Sequence, residues 1–224
     1  MITKFTIFGE RNSGTNYLHS LLTEILNLQY TNEYGYKHWY IKNHYPRGKS
    51  NTTTDNECIT DINNSDNTLF IFTVRNPYDW CAAMKKKPHH IKKKNNSSLL
   101  NFIQNKYIAY STEPPPAHKK GPTKYTTNIS NYYFIEEAKN LIELRNLKNT
   151  HFMNLQNKVK HFIIIRQEFL INDINEMVSK FNIKLKKNVK LYNYKSPTKY
   201  EIQQNVKNYI NNNLNNEIDN KFYL

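Results

Sequence analysis

The fold is decided by residues 5–18, FTIFGERNSGTNYL. The apolar residues that open this stretch predict a short strand, and Gly9 and Gly14 bracket a tight loop after it. A helix follows, because apolar residues then recur at three- and four-residue spacing and line one face. That face comprises Tyr17, Leu18, Leu21, Leu22, Ile25 and Leu26. Ser13 or Thr15 has the hydroxyl needed to cap this helix.

The loop between the two glycines is a predicted anion site. A loop that closes from a strand onto a helix N-terminus directs backbone N–H groups and the positive end of the helix dipole at one spot, which favours phosphate or sulfate. Gly9 and Gly14 have the G-x-x-x-x-G spacing of a P-loop, but Thr15 and Asn16 stand where a nucleoside triphosphatase has Lys and Ser/Thr. An ordinary strand-to-helix turn shows the same glycine pair, so a second motif is needed.

That second motif is residues 69–80, LFIFTVRNPYDW. Its continuous apolar run predicts a strand buried on both faces, and Pro77 is placed as the first residue of a helix that we expect to end near Lys86. Arg75 follows the strand, and its guanidinium can bind a phosphate through two hydrogen bonds. The alternative for Arg75 is an ion pair with Asp79.

Together the two motifs resemble the sulfotransferases that use 3′-phosphoadenosine 5′-phosphosulfate (PAPS). In that family a loop R/K-S-G-T-T/N holds the 5′-phosphosulfate, and a strand that ends V-R-N/D-P-x-D holds the 3′-phosphate. Residues 162–170, FIIIRQEFL, are similar to the family's later strand and its R-Y-E-D-L ending, and residues 141–155 look like the helix before it. The resemblance spans about residues 2–182. It implies a three-layer α/β/α sandwich with a mostly parallel central sheet, a P-loop-like sulfotransferase fold.

The resemblance also implies a role for particular residues. The 5′-phosphosulfate would be held by Arg11, Asn12, Ser13, Gly14, Thr15 and Asn16. Arg75 would hold the 3′-phosphate. The chain departs from the family at Asn12, where the family has Lys or Arg, so Arg11 is the nearest cation. Ala83 replaces a serine that contacts the 3′-phosphate, and Lys195 or Lys199 could supply that contact instead.

His38 is the candidate general base, because imidazole titrates near neutral pH and the family places a Lys/His pair here. We predict a strand over residues 34–41, in which alternation points Lys37 and His38 to opposite faces, so that only one reaches the sulfate unless the strand has already ended. A half-buried packing histidine is the alternative. Glu168 is the second candidate base, with a structural carboxylate as its alternative.

Sulfuryl transfer asks for positioning and electrostatic stabilisation. An acceptor oxygen or nitrogen attacks sulfur in line, and the leaving phosphate gains charge that N–H groups and cations stabilise. We therefore expect PAPS as co-substrate and no metal, and the adjacent His89 and His90 have no Cys or carboxylate at ligand spacing. The acceptor is a hydroxyl or an amine. A carbohydrate is favoured, and an anionic sugar polymer, a small phenol or a protein tyrosine also fits.

Composition bounds the class of protein. The 224 residues suit one domain, and a net charge of +14 with a pI near 9.5 attracts anionic partners of any kind. Cys58 and Cys81 lie far apart in sequence, as in a reducing compartment. We expect no signal peptide, because a strand is predicted directly after Met1. We expect no transmembrane segment, because no apolar run approaches ~18 residues. Together these expectations predict a cytoplasmic protein.

The middle of the chain, residues 85–130, differs in character from the rest. It is basic, and three consecutive prolines at 114–116 interrupt regular structure. We predict a single domain over 1–224 with a flexible basic and Pro-rich excursion here, which contains a short amphipathic helix at about 99–107. The excursion carries a lid or the acceptor surface, or it is a solvated loop.

Past that segment the chain returns to alternating elements. Helical spacing of apolar residues predicts helices at about 131–147, 174–181 and 200–214, and an apolar run predicts a strand at 162–166. Strands that alternate with helices indicate the α/β class with a mostly parallel sheet. Ligands of such sheets bind beyond the carboxyl ends of the strands, where both candidate anion motifs fall.

Three other functions compete with this interpretation. A P-loop kinase would need a Lys after Gly14 and a strand that ends in Asp. A catalytically impaired nucleotide- or polyanion-binding protein with a sulfotransferase fold is motivated by Asn12 and Ala83. Nucleic-acid binding through the basic run 85–94 lacks interleaved aromatic residues and a recognition-helix pattern, so we expect no specific nucleic-acid partner.

Overall fold

The computed structural model describes residues 1–34, 37–38, 62, 65–88, 98–110, 135–186 and 197–223. The strands within these ranges are β1 (Lys4–Gly9), β2 (Gln29–Tyr30), β3 (Thr68–Val74), β4 (Tyr107–Tyr110), β5 (Ile135–Ala138) and β6 (His161–Arg166). The helices are α1 (Thr15–Ile25), α2 (Pro77–Lys86), α3 (Leu99–Gln104), α4 (Leu141–Leu155), α5 (Leu170–Lys180), α6 (Gln204–Asn213) and α7 (Asn216–Tyr223).

Four parallel strands form the central sheet, in the order β2-β1-β3-β6. β1 pairs with β3 from Lys4 opposite Thr68 to Gly9 opposite Thr73, and β3 continues in register to Val74 opposite Arg166. Since parallel strands place their carboxyl ends at one edge of a sheet, the loops that follow β1, β3 and β6 meet there. The predicted α/β class with a parallel sheet is confirmed, and both anion motifs lie at this edge.

Helices pack on both faces of the sheet, because alternate residues of each strand point to opposite sides. On one face α1 and α5 cover side chains that include Ile7 and Ile71. On the other face Phe8 and Phe72 pack against α4 and α7, and the Phe72 ring stacks on Phe152 at 4.6 Å between centroids. Every residue of β3 is buried, as the apolar run predicted.

The first helix differs from prediction at its N-terminus and on its surface. Gly14 is the N-cap, and no side chain caps α1, so the predicted cap by Ser13 or Thr15 is wrong. Tyr17 was assigned to the core face but is 41% exposed and Leu21 is only partly buried, whereas Leu18, Leu22, Ile25 and Leu26 are buried. The core stripe is therefore narrower than the sequence predicted.

The strand predicted over 34–41 is wrong for the residues described there. Tyr34, Lys37 and His38 lie in turns, and the edge strand β2 comes earlier, at Gln29–Tyr30. Alternation suggested a strand because aromatic and polar residues interleave here, but β2 already pairs with β1 at this sheet edge. The rest of the predicted strand falls outside the described residues.

The helix predicted over 131–147 is also wrong in its first half. Residues Ile135–Ala138 form β5, which pairs antiparallel with β4, and the helix starts only at Leu141. Asn140 decides the boundary, because its side chain accepts a hydrogen bond from the N–H of Glu143 at 2.8 Å and so caps α4. Residues 131–134 lie outside the described ranges.

Residues 98–110 of the predicted excursion are anchored in the protein, whereas Lys86 and Lys87 at its start are exposed. Residues 98–110 form α3 and β4, and Phe102, Ile103 and Tyr107 are buried against α2, α4 and α6. The short helix predicted at about 99–107 therefore ends earlier, and Tyr107 belongs to a strand. Residues 89–97 and 111–130 fall outside the described residues.

The remaining helices lie close to prediction. α2 has the predicted bounds and has Pro77 at its first position, and α5 buries Ile174 and Met177. α6 starts at Gln204, four residues later than expected, and α7 was not predicted. No described helix combines the length and the apolar character that a bilayer crossing requires.

Candidate anion-binding site

Both glycines of the first motif are required by close packing at the loop. Gly14 has a φ of 84°, and a Cβ atom there would lie 2.2 Å from Oε1 of Gln167. A Cβ atom on Gly9 would lie 2.6 Å from the carbonyl oxygen of Thr73 on the neighbouring strand. The loop thus passes directly over the end of β3 and the turn after β6: a side chain at Gly9 would press on the backbone of β3, and one at Gly14 would displace the Gln167 side chain.

The start of α1 provides N–H groups at the sheet edge. The Leu18 N–H donates to the Gly14 carbonyl at 2.9 Å, which is the first bond of the helix. The N–H groups of Thr15 and Asn16 precede this bond and so have no intrahelical acceptor. The first turn contains no acidic residue. This arrangement favours an anion at the helix end.

The Ser13 side chain is turned inward in this structure. Its N–H and its Oγ both donate to the Glu10 carbonyl, at 3.1 and 2.5 Å. The Ser13 carbonyl in turn accepts from Thr73 Oγ1 at 3.1 Å, and Gln167 Nε2 donates to the same hydroxyl at 2.9 Å. Ser13 therefore ties the loop to β3 and to the turn after β6, while the resemblance implied that it faces the donor.

Asn12 and Arg11 bind the loop to α2. The Asn12 amide donates to the Lys87 carbonyl at 3.2 Å and approaches the Met84 sulfur at 3.1 Å. The Arg11 carbonyl accepts from Trp80 Nε1 at 2.8 Å. The side chain in place of the family's cation is thus engaged with α2, and Asn12 has the positive φ that turns it there.

Arg75 lies beside the same loop and is 8% exposed. Its Nη1 donates to the Asn12 carbonyl at 3.4 Å and its Nη2 to the Thr198 carbonyl at 2.6 Å. Nε is buried and has no hydrogen-bond acceptor within the described part of the chain. The Asp79 carboxylate, the predicted alternative partner, accepts the Tyr200 N–H at 2.8 Å instead. The acceptors of Arg75 are therefore neutral carbonyl oxygens. A charged phosphate would accept stronger hydrogen bonds from the guanidinium than these carbonyls do.

His38 reaches the loop through its ring. Nδ1 lies 2.8 Å from the Gly9 carbonyl, which can only accept, so Nδ1 carries the proton and Nε2 holds the lone pair in the neutral ring. Burial lowers the pKa of His38 well below its usual value of 6.5, and the charges of Arg11 and Lys37 lower that pKa further. At neutral pH the ring is an unprotonated base.

Lys37 lies on the same side of the loop as His38. Its carbonyl accepts the Gly9 N–H at 2.8 Å, and its Nζ donates to Asn16 Oδ1 in the first turn of α1. The expectation that only one member of the pair reaches the sulfate depended on a strand, and residues 37–38 form a turn instead, so strand alternation does not separate the two side chains. Lys37 brings a positive charge to the helix end.

Lys148 is a residue that sequence reasoning missed. It lies on α4, and its Nζ is 3.2 Å from Glu10 Oε1 and 2.5 Å from the His38 carbonyl. A signal was present, since Lys148 interrupts the buried stripe that includes Leu141, Leu144, Phe152 and Leu155. A cation in such a stripe needs a specific partner, and only the tertiary structure identifies it.

Glu168, the second candidate base, is engaged in holding the site together. Its Oε1 accepts the Asn76 N–H at 2.8 Å, and its Oε2 lies 3.5 Å from the Tyr223 hydroxyl. The carboxylate thus connects the start of α2 with α7. This geometry matches the structural alternative for Glu168.

Of the two lysines predicted as further 3′-phosphate contacts, the structure describes one. Lys199 is exposed next to Thr198, and Lys195 falls outside the described residues.

A groove of about 380 Å³ runs along α4 and is lined by residues such as Asn146, Thr150 and Asn154. Within the described ranges, no group of three or more His, Cys, Asp or Glu side chains is arranged to hold a metal ion.

No family model, no curated protein and no solved structure matches this chain.

Proposed function

We propose that the protein is a sulfotransferase that moves a sulfuryl group from PAPS to a hydroxyl or an amine. The observation that carries the proposal is the meeting of three features at one sheet edge: the N-terminus of α1, the buried guanidinium of Arg75 and the neutral ring of His38. Anion binding, phosphate recognition and proton acceptance are the functions that this transfer needs.

The donor would lie along the loop. Its 5′-phosphosulfate would accept from the N–H groups of Thr15 and Asn16, with Lys37 and Arg11 as the nearest cations. Its 3′-phosphate would bind Arg75 and exchange the Thr198 carbonyl for a stronger acceptor. The two ends of one nucleotide would therefore be recognised by loops from neighbouring strands.

In the transfer step, the acceptor oxygen or nitrogen attacks the sulfur and gives its proton to Nε2 of His38. The bond between the sulfur and the bridging oxygen breaks, and 3′-phosphoadenosine 5′-phosphate leaves with the electron pair of that bond. The Gly9 carbonyl holds Nδ1–H and fixes the ring in the tautomer that accepts a proton. The N–H groups at the helix end stabilise the charge on the leaving phosphate.

The acceptor class is proposed from charge and surface. A net charge of +14 raises the local concentration of anionic molecules. We favour a carbohydrate, and an anionic sugar polymer combines that chemistry with the charge.

A second candidate function has a specific observation in its favour. The Asn12 side chain replaces a cation and is bound to Lys87 and Met84, and the Ser13 hydroxyl is bound to Glu10. A protein that binds a nucleotide or a polyanion without turnover would tolerate these losses. Loss of one charge stabiliser at the leaving oxygen costs about 3–4 kcal/mol of barrier.

Calorimetric titration with 3′-phosphoadenosine 5′-phosphate tests the donor site, with AMP and ATP as control ligands. We expect binding that requires the 3′-phosphate and that weakens by ~10- to 100-fold in Arg75→Ala, since a charged hydrogen-bond pair contributes about 1.5–3 kcal/mol. Lys160→Ala removes an exposed cation that precedes β6, at the opposite edge of the sheet; it is the matched control and should bind as the wild type does. Equal affinity for all three nucleotides would contradict the proposal.

Release of 3′-phosphoadenosine 5′-phosphate from PAPS, with a panel of oligosaccharides as acceptors, separates the two candidate functions. His38→Gln should lose ~100-fold or more of the rate while nucleotide affinity stays within about threefold. Full turnover in His38→Gln would refute the assigned base. Tight binding with no turnover in the wild type would favour the binding protein.

A further inference from the structure

A buried ion pair below the loop has no role in the transfer chemistry described so far. Lys148 is 0% exposed and Glu10 is 3% exposed, and their charged atoms are 3.2 Å apart. Removing both charges from water is costly, so such a pair is weak evidence for a stabilising role. Its position directly before the anion-binding residues suggests an electrostatic role instead.

Glu10 depends on Lys148 for its compensation. Neither carboxylate oxygen of Glu10 accepts a hydrogen bond of good geometry from the described residues, although Lys148 Nζ is within ion-pair distance. Its backbone carbonyl accepts both donors of Ser13, which places Glu10 at the base of the loop. An uncompensated carboxylate at that position would repel an anionic ligand through a medium of low dielectric constant.

Three other cations lie near the pair. Arg11, on the same loop, and Lys37, on the neighbouring turn, act on the His38 ring and lower its pKa. On α4, Arg145 lies one turn before Lys148, but its guanidinium pairs with Asp219 of α7 at 2.6 Å.

We infer that Lys148 neutralises Glu10 and thereby sets the affinity of the loop for the anionic donor, and that it also holds the His38 backbone beside the loop. Lys148 is thus a positioning residue that does not touch the ligand. The inference rests on the proposed function, because the ligand is taken to be the 5′-phosphosulfate end of the donor. It adds that the net charge of Glu10 and Lys148, which lie behind the loop, determines how tightly the loop binds an anion.

The test is a series of charge-removing substitutions in which the affinity for 3′-phosphoadenosine 5′-phosphate is measured. Lys148→Met keeps the unbranched chain and removes the ammonium, and it should weaken binding ~10-fold or more. Adding Glu10→Gln removes the uncompensated charge and should restore affinity to within about threefold of wild type. Lys148→Arg keeps the charge and should bind like the wild type. The matched control is the exposed pair Lys160 and Asp66, 3.4 Å apart, whose equivalent substitutions should leave binding unchanged.

The free energy of unfolding is the second readout, and it needs no ligand. Lys148→Met leaves the buried Glu10 carboxylate without the ammonium 3.2 Å away and should destabilise the protein, and adding Glu10→Gln should recover most of that loss. If Lys148 had only a packing role, Glu10→Gln would recover no stability in the Lys148→Met background.

The outcomes are distinguishable. If the wild type binds no 3′-phosphoadenosine 5′-phosphate, the proposed function and this inference fall together. If the wild type binds it but Lys148→Met binds equally well, or if Glu10→Gln restores nothing, only this inference falls. Should Lys148→Met fail to fold, the single variant Glu10→Gln decides: equal or tighter binding supports the inference, and weaker binding overturns it.

Discussion

His38 shows at the scale of one residue how burial sets a protonation state. Burial and the neighbouring Arg11 hold its pKa well below 6.5. Between the folded pKa and about pH 6.5, the histidine is therefore protonated in the unfolded chain and neutral in the folded protein. Stability should therefore be complete above about pH 6.5 and fall as pH decreases from there towards the folded pKa, with a slope of up to ~1.4 kcal/mol per pH unit.

Urea unfolding at a series of pH values checks this expectation. His38→Gln cannot titrate and should reduce the slope below about pH 6.5, leaving the contribution of His19, whose pKa burial and Lys37 also lower. His161→Gln, at the start of β6, should keep it. An unchanged slope in His38→Gln would mean that another group causes the acid sensitivity.

Gly14 combines two physical requirements that a double variant can separate. Its φ of 84° strains any other residue, and a Cβ atom would clash with the Gln167 side chain. Gly14→Ala should lower the free energy of unfolding by about 1–3 kcal/mol. Gln167→Ala alone removes the hydrogen bond to Thr73, so the comparison is a double-mutant cycle: in the Gln167→Ala background, Gly14→Ala should cost less because only the backbone strain remains. If Gly14→Ala costs the same in both backgrounds, the clash has no energetic weight.

The residues of the site differ in how far the sequence could predict them. Arg75 follows the apolar run of β3, so the sequence could locate it at the carboxyl end of that strand, whereas His38 was chosen from the family resemblance and the strand predicted around it is wrong. Lys148 and Thr198 could not, since their contacts join positions 110 and 123 residues apart and no local pattern encodes that distance. Ser13 was placed but its orientation was not, because its hydroxyl has a closer acceptor in Glu10.

At the scale of elements, local periodicity succeeded where burial is continuous. β3 and α2 were predicted because an apolar run and a helix-starting proline need no tertiary information. The helix predicted over 131–147 failed because Ile135 and Ala138 have helical spacing by coincidence and pair with β4 instead. α7 was missed because it has few buried apolar residues, and the charged Asp219 is buried beside them.

The attachment of α7 yields a prediction for this scale. Asp219 pairs with Arg145 of α4 at 2.6 Å, and the Arg145 guanidinium lies 5.5 Å from the Trp80 ring of α2. Asp219→Asn leaves a buried guanidinium without its counter-charge and should cost about 3–5 kcal/mol in thermal or urea unfolding. Glu217→Gln, which breaks the exposed pair with Lys221 on the same helix, should change stability by less than ~0.5 kcal/mol.

At the scale of the whole molecule, the site depends on two packed regions. The loop after β1 lies on the parallel sheet, whereas Trp80 and Asn12 attach it to the cluster formed by α2, α3, α4 and α6. This cluster and the sheet share α4, which contributes Ile142 to the cluster and Phe152 to the sheet face. We therefore expect the two regions to unfold as one cooperative unit.

Cys81 can test this expectation, since it is fully buried in the cluster on α2. Burial raises the pKa of its thiol to about 12, so the folded protein should not react with a thiol reagent near neutral pH. In a Cys58→Ser variant, labelling of Cys81 would require opening of the cluster. If the molecule is one unit, the free energy of opening from the labelling rate should equal the free energy of global unfolding. A value lower by ~2 kcal/mol or more would show that the helical cluster opens while the sheet remains folded, and the site would then lose its attachment to α2 before the sheet unfolds.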